Sequence, residues 1–509
     1  MLLQTFPRRS LKLLLWGLIT LLTACGATKQ HAESEPPTAP PDQPSKSISE
    51  LTPSNIDQSV IDRVRNEKWS GDIDGMLQRR FIRAIVVYNK TTFFYDGPQA
   101  RGIDYDALNE FNKFLNQKLK TGDKPIYIMF IPVSRDEAFK RMQDGRGDIV
   151  LGNLPITAEL EKVVDFSDPT REQSKQIVVG GPDAAQLTTL DDLSGKEIFI
   201  RKFSRYWPTI ERLNEKLKNE HKPVITLKEA DANLEDEDLL NMVAMGQFQM
   251  TVTDDLTASL WSNVFPELKI YGGLPLVTDD RIGWAVQNGA KNFLALVNEF
   301  VKDHKQGTAF GNTMIAKYLQ TTKWATNNIA PSEMDKFRSA VQYFKKYSAE
   351  ERFEWLMIAA QAYQESQIDQ SRRSPAGAVG VMQIKPSTAA GDPINITDVQ
   401  NSMENNIHAG VKYLNFIMNR YFADAKMNNV DRALFAFASY NAGPAKIAKL
   451  REMAVKERLD PNIWFGNVEL IAAREIGPET VTYVSNIYKY YVGYKLAYEQ
   501  VGSRKRTSA

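Results

Sequence analysis

The chain has 509 residues, with 63 Lys and Arg against 62 Asp and Glu for a net charge of +1; 43% of residues are hydrophobic, 25% charged and 10% aromatic. This composition excludes a largely disordered, collagenous or polytopic membrane protein. It allows about three domains and offers no charge excess to recruit nucleic acid. Four His and one Cys leave no disulfide framework and no metal cluster, so the chemistry is expected to run on carboxylates and polar side chains, with no metal and no cofactor.

In chain order, residues 1–24 place Arg8, Arg9 and Lys12 before an apolar run from Leu13 to Leu22 broken only by Gly17 and Thr20. That is the layout of a removable secretory signal, too short for a comfortable permanent span. Leu22-Thr23-Ala24-Cys25-Gly26 then puts the only cysteine at the cleavage point, and the word resembles a bacterial lipoprotein box. The resemblance implies acylation of Cys25. With Gly26 rather than an aspartate after it, the implied address is the periplasmic face of the outer membrane. Residues 25–70 read as a lipid-anchored flexible linker, because the stretch from Ala27 to about Ser59 is rich in Pro, Ser, Thr, Glu, Asp and Gln and poor in large apolar residues.

Residues 71–325 alternate β-like and helical patterns, with a strand over Ile82–Tyr88, an amphipathic helix over Tyr105–Leu119 and a strand over Ile126–Ile131. The alternation predicts an α/β fold with mainly parallel strands. Gly102-Ile103-Asp104-Tyr105-Asp106, Asp144-Gly145-Arg146-Gly147-Asp148 and Asp165-Phe166-Ser167-Asp168-Pro169, with Gly246 and Asp254-Asp255, resemble the family 3 periplasmic solute-binding proteins of amino-acid uptake. That implies two lobes joined by two hinge strands, with crossovers near Gln176–Gly181 and Gly273–Val277, and a ligand closed between the lobes. The chain departs from the family where an arginine that forks onto the ligand carboxylate is expected: Thr157-Ala158-Glu159-Leu160 carries Leu160 there. The small turn that makes a second carboxylate contact is replaced by Arg201-Lys202-Phe203-Ser204-Arg205. Arg201, Ser204 and Asp254 are the candidate ligand contacts, Arg205 offers a substitute charge, and solvated surface arginines are the alternative. Tyr88, Phe93, Phe94 and Tyr95 read as core more than as a stacking platform, and the acidic run Glu229–Asp238 as a solvated loop or helix start.

Residues 331–500 turn helical. Ser348-Ala349-Glu350-Glu351 reads as a capping box opening a helix with Phe353, Leu356, Met357, Ala360 and Tyr363 on one face. Three words follow in order: Glu365-Ser366, then Ser374 to Ile384 with Gly377, Gly380, Met382 and Gln383, then Ser439-Tyr440-Asn441-Ala442-Gly443-Pro444. With Asn406, Gly410, Tyr413 and Leu414 and the late Glu479-Thr480 and Tyr483-Val484, they resemble lytic transglycosylases of the soluble-lytic-transglycosylase type, which cleave peptidoglycan glycan strands through a mainly α, lysozyme-like domain.

Breaking a glycosidic bond requires a carboxyl that stays protonated near neutral pH, so an apolar pocket must raise its pKa. Glu365 is the candidate acid, with Ala360, Ala362, Tyr363 and Met382 expected around it. Most glycosidases add a second carboxylate. None lies in the matched words, and Asp369 reads as a helix end. The resemblance implies one glutamate serving as acid and then base, the sugar's C6 hydroxyl in place of water, and a 1,6-anhydromuramoyl product. Substrate-binding roles are expected for Ser374 and Tyr483; Met382 would pack on a sugar face, Gln383 would meet an acetamido group, and Tyr440 and Asn441 would hold Glu365 or the N-acetyl carbonyl, with core packing or a turn the alternative for these four, while Ser366 would orient Glu365 at the substrate or cap the last carbonyls of its helix. Gly377 and Gly380 would permit close approach to a sugar or positive φ, and Tyr488, Tyr490, Tyr491 and Tyr494 would pack helices or line a subsite. The expected partners are peptidoglycan strands, a muropeptide on the middle domain that modulates cleavage, and the outer membrane, with no nucleic acid. The competing functions are a lysozyme-type hydrolase using water and an inactive muropeptide-binding receptor.

Overall fold

The structure, a computed structural model, describes residues 58–320, 334–423 and 426–507, all within one compact unit. The expected signal, Cys25 and most of the linker lie outside the described residues.

The expected strand at 82–88 runs Phe81–Val87 and is buried at all seven positions. Both of its faces are covered: Ile82, Ala84 and Val86 share a core with Leu108 and Phe111 of the Ile103–Lys118 helix, and Ile85 and Val87 share another with Ala138 and Met142 of the Arg135–Gln143 helix. The one charged residue in the strand, Arg83, is fully buried with Asp148, whose Oδ1 accepts from Arg83 Nη2 at 2.8 Å and whose Oδ2 accepts from the Arg83 backbone N–H at 2.7 Å. Arg79 donates to the same Oδ2.

The main path of the sheet is ordered Met250–Asp254, Arg171–Gly180, Val277–Gln287, Ile149–Pro155, Phe81–Val87, Tyr127–Val133. Its last three strands are parallel, as the alternating pattern implies. The others are antiparallel, so the sheet is mixed rather than mainly parallel. The reason lies in the two-lobed design: the chain leaves the first lobe along Arg171–Gly180 and returns along Val277–Gln287, with Gln176 opposite Val277. The second lobe adds the parallel pair Glu197–Arg201 and Thr226–Ala230 over a core of Leu193, Ile198, Ile200, Ile210 and Val252. Phe93, Phe94 and Tyr95 are buried, the Phe93 ring packing on Tyr95 at 5.4 Å and on Phe130 at 5.5 Å.

Two sequence expectations need correction. The Met334–Glu350 helix runs straight through Ser348, which is buried with Phe344 and Tyr347, so there is no capping box. A capping serine needs extended backbone outside the helix. The break comes at Arg352 (φ +54°), and the next helix, Trp355–Ser366, opens after Glu354. The acidic run is not simply solvated either: Glu237 is buried in the Asp236–Ala244 helix and its carboxylate accepts from the Lys90 backbone N–H at 2.5 Å.

The helical region surrounds Trp355–Ser366, whose residues Leu356 to Ala362 are all buried between Met334–Glu350 and the long Pro478–Thr507 helix. No helix among the described residues is long and apolar enough to cross a membrane.

Candidate active site

Glu365 sits in the last turn of Trp355–Ser366, which ends with Gln367 (φ +57°) and Ile368 (φ +58°) turning the chain away. The end is secured by Ser366, whose hydroxyl donates to Val381 O at 2.8 Å and accepts from the Asp369 N–H at 3.0 Å. Ser366 therefore clamps the loop carrying Met382 and Gln383 rather than orienting Glu365.

That loop is held by one buried amide. Asn406 Oδ1 accepts from the Met382 N–H at 2.7 Å, and its Nδ2 donates to Val379 O at 2.8 Å and Val399 O at 3.0 Å. Gly380 (φ +74°) leaves room for it, since a Cβ there would lie 2.4 Å from Asn406 Nδ2. The close approach permitted by Gly380 is thus to Asn406 and not to a sugar, and Gly377 (φ +82°) serves a turn in open space. Ser374 closes the same turn, its Oγ accepting from the Ala378 N–H at 3.0 Å.

Met382 is fully buried against the backbone of Gly410, where a Cβ would lie 2.7 Å away. Its expected place on a sugar face is corrected to a core role. Gln383 (φ +46°) donates its amide to Gly380 O at 2.8 Å, which spends on the loop the group expected to meet an acetamido. Tyr440 donates to Met382 O at 2.7 Å, and Asn441 accepts from Thr480 Oγ1 at 2.7 Å; these bonds tie both to the scaffold rather than to Glu365.

Tyr483 alone among the expected residues bonds the acid, donating to Glu365 Oε1 at 2.5 Å. Its oxygen accepts from Gln361 Nε2 at 3.1 Å. Burial raises the Glu365 carboxyl to about 7, against the opposing pull of the Tyr483 bond and the Arg372 charge. Burial, with the Glu365 charge adding to it, pushes the Tyr440 and Tyr483 phenols well above their usual range, so both remain neutral donors. The site thus offers one carboxyl able to give and take a proton near neutral pH. Asp369 accepts from Ser371 N–H and Oγ at 2.8 and 2.7 Å, in keeping with a turn residue.

Sequence reasoning missed Gln361 and Arg372. Gln361 had a readable signal: a polar residue in the apolar stretch Ile358 to Ala362, four residues before Glu365 and so on its helix face. Arg372 had none, being one of two adjacent exposed arginines.

The three candidate ligand contacts of the middle domain are engaged among themselves and their neighbours. Arg201 donates to Glu235 at 2.7 Å and Asp236 at 2.5 Å, and Ser204 donates to Arg201 O at 2.7 Å. Asp254 is fully buried and accepts from Arg171 and Asn153 at 2.8 Å and from Thr257 Oγ1 at 2.7 Å. Burial would raise its carboxyl, but Arg171 and Arg205 outweigh that and hold it well below the usual range. Arg201 and Arg205 are therefore not solvated surface residues; ion pairs pull both inward, because a guanidinium leaves water only where carboxylates compensate it.

Two family profiles match the chain: bacterial extracellular solute-binding proteins, family 3, over residues 85–321, and the transglycosylase SLT domain over residues 342–460. A match to a family 3 solute-binding domain thus stands ahead of a match to an SLT domain, and the SLT match supports a peptidoglycan lytic transglycosylase. Its relatives include the membrane-bound lytic murein transglycosylase F of Desulfosudis oleivorans, 27% identical over 422 residues covering 79% of this chain and 87% of that one. The protein of the same name from Pseudomonas fluorescens strain Pf-5 is 28% identical over 461 residues, covering 85% and 86%. Among solved structures, the substrate binding protein of an amino acid ABC transporter aligns with TM-score 0.37 at 23% identity, covering 47% of this chain and all of that one. An ancestral arginine-binding protein bound to arginine aligns with TM-score 0.38 at 21% identity, covering 47% and 97%.

Proposed function

We propose that the protein cleaves the MurNAc-GlcNAc β-1,4 bond of peptidoglycan without water, with Glu365 as acid and then base. The protonated carboxyl gives its proton to the glycosidic oxygen as the C1–O bond breaks, and the neighbouring N-acetyl group stabilises the cation at C1. The carboxylate then takes the proton of the C6 hydroxyl as O6 closes onto C1, leaving a 1,6-anhydromuramoyl end and a Glu365 ready for the next cycle. The observation that supports this reading is the company Glu365 keeps: its carboxyl is raised to about 7 by burial, and the groups acting on it are a phenol and a guanidinium, not the second carboxylate of a two-acid glycosidase. Mass spectrometry of sacculi digested by the mature protein is expected to show ends one water lighter than reducing ends. Reducing ends would make it a hydrolase, and no release would leave an inactive receptor.

The solute-binding domain is proposed to take a muropeptide and modulate cleavage. Support comes from the Pro478–Thr507 helix, which carries Tyr483 and, a turn and a half further on, bonds the other domain: Tyr488 donates to Asp231 at 2.8 Å, and Lys489 donates to Asn241 at 3.1 Å and pairs with Asp238 at 3.5 Å. Tenfold control needs only about 1.4 kcal/mol of differential binding. The same digests, run with and without added muropeptides, test it; an unchanged rate removes the modulation and leaves the enzyme.

The remaining organisation belongs to the same proposal: a signal over 1–24, a tether over 25–70, the solute-binding domain over 71–325, the catalytic domain over 331–500, and acylated Cys25 holding the protein at the periplasmic face of the outer membrane. The relatives' names, membrane-bound, agree with it. Cys25→Ala is expected to move the protein into the soluble fraction or leave the signal uncut, with loss of fatty-acid labelling; unchanged fractionation would point to an uncleaved apolar helix instead.

A further inference from the structure

Glu365 has two oxygens, and a general acid works only when the proton sits on the one that faces the bond to be broken. Tyr483 has a single proton and an oxygen that can donate to Glu365 Oε1 or accept from it. At 2.5 Å either arrangement is possible, and in the second the acid proton is trapped between Glu365 and the phenol. What separates them is the neighbour behind the phenol. Gln361, fully buried four residues earlier on the same helix, directs its Nε2 at the Tyr483 oxygen at 3.1 Å.

We infer that Gln361 is a positioning residue for the reaction: by donating into Tyr483 it commits the phenolic proton to Glu365 Oε1 and so reserves Oε2 for the proton that is passed to the glycosidic oxygen and later recovered from the C6 hydroxyl. The amide does not touch the sugar. It acts by occupying the oxygen lone pair that a protonated Glu365 would otherwise use, and by polarising the Tyr483 O–H so that it donates more strongly. The cost of the arrangement is visible, since Gln361 Oε1 is buried without a hydrogen-bond partner. A buried amide oxygen left unpaired is tolerated where the other end of the amide is needed.

This inference rests on Glu365 being the acid, and the experiment separates the two. Three single variants, Gln361→Met, Tyr483→Phe and Glu365→Gln, and the double variant of the first two are assayed in the full mature protein across pH, with circular dichroism as the check of fold. For Gln361→Met, kcat is expected to fall about threefold to tenfold with KM unchanged, because a fraction of the acid now holds its proton toward the phenol. The alkaline limb of kcat should move to higher pH. A donor to the carboxylate lowers the Glu365 pKa, and weakening that donor raises it. In the Tyr483→Phe background Gln361→Met should change nothing further, because its route of action is gone. A pH profile unmoved by Gln361→Met, or effects of the two substitutions that simply add, would overturn the positioning role while leaving Glu365 as acid. Activity retained by Glu365→Gln would instead overturn the reading beneath it. Should Gln361→Met fail the fold check, Gln361→Glu carries the test: at neutral pH it draws the Tyr483 proton to itself, and kcat falls at least as far as with Tyr483→Phe if the direction of the chain matters, and stays near the wild-type value if it does not.

Discussion

Glu365→Gln is expected to abolish glycan cleavage in zymography while circular dichroism and thermal melting stay as in the wild type. The amide occupies the same volume and can still accept from Tyr483, but it cannot deliver a proton. General acid catalysis typically supplies roughly 10²- to 10⁴-fold, so residual activity above about one per cent would mean that another group protonates the leaving oxygen. The wild-type pH profile carries the complementary result. Burial holds the Glu365 carboxyl up at about 7, so the protonated, working form persists to neutrality, and kcat should decline as pH rises through that value. An exposed glutamate would lose its proton near its ordinary value of about 4.3, and a decline beginning there would contradict a buried acid.

Asp148→Asn is expected to be the most destabilising single change in the first lobe, at about 3–5 kcal/mol, read as a loss in the first unfolding transition of the full chain in urea. Asp148 is fully buried and accepts from Arg83 and Arg79, and Arg83 is itself fully buried, its other hydrogens going to Glu67 O at 2.7 Å and Trp69 O at 3.1 Å. Asparagine keeps the shape and can still meet the Arg83 backbone N–H. It leaves two guanidiniums facing each other without a counter-charge, which is costlier than never having buried them. A loss under about 1 kcal/mol would mean that water reaches the cluster and the charges are screened.

These two cases show what could and could not be read from residues alone. Asp148 stood out in Asp144-Gly145-Arg146-Gly147-Asp148, and Glu365 in its word, because both belong to short runs whose spacing is fixed locally. The strand Phe81–Val87 and the helix Ile103–Lys118 were legible for the same reason, as their periodicity is a property of consecutive residues. The pairing of Arg83 with Asp148, 65 positions apart, is set by the register of parallel strands, which no local pattern encodes. Met382 was misplaced because an apolar residue beside a catalytic word fits a cleft and a core equally well; what decided it was Gly410 on another helix, whose missing Cβ makes the hole that Met382 fills. Ser348 failed differently. Ser-x-x-Glu matches a helix start, yet Phe344 one turn earlier and Tyr347 just before it are buried in a helix already under way. The charges of Arg201 and Asp254 were visible, but not that Glu235, Asp236 and Arg171 would claim them, since those partners arrive from separate elements.

The Pro478–Thr507 helix makes the boundary between binder and catalyst a poor place to cut. Excising the catalytic domain near residue 330 would uncover Lys489, whose ammonium is held down to about 8 chiefly by burial, with Lys90 opposing and Asp238 assisting its charge. In water it would recover its full charge, and the turns around it would lose the wall against which they are seated, with Tyr483 less than two turns away. The freed domain would be a retuned catalyst, so a rate measured on it also reads the loss of support for the acid. The same reasoning constrains transplantation: a different binding module grafted in front of this catalyst would need to offer a face equivalent to Asp231, Asp238 and Asn241 to seat the helix that carries Tyr483.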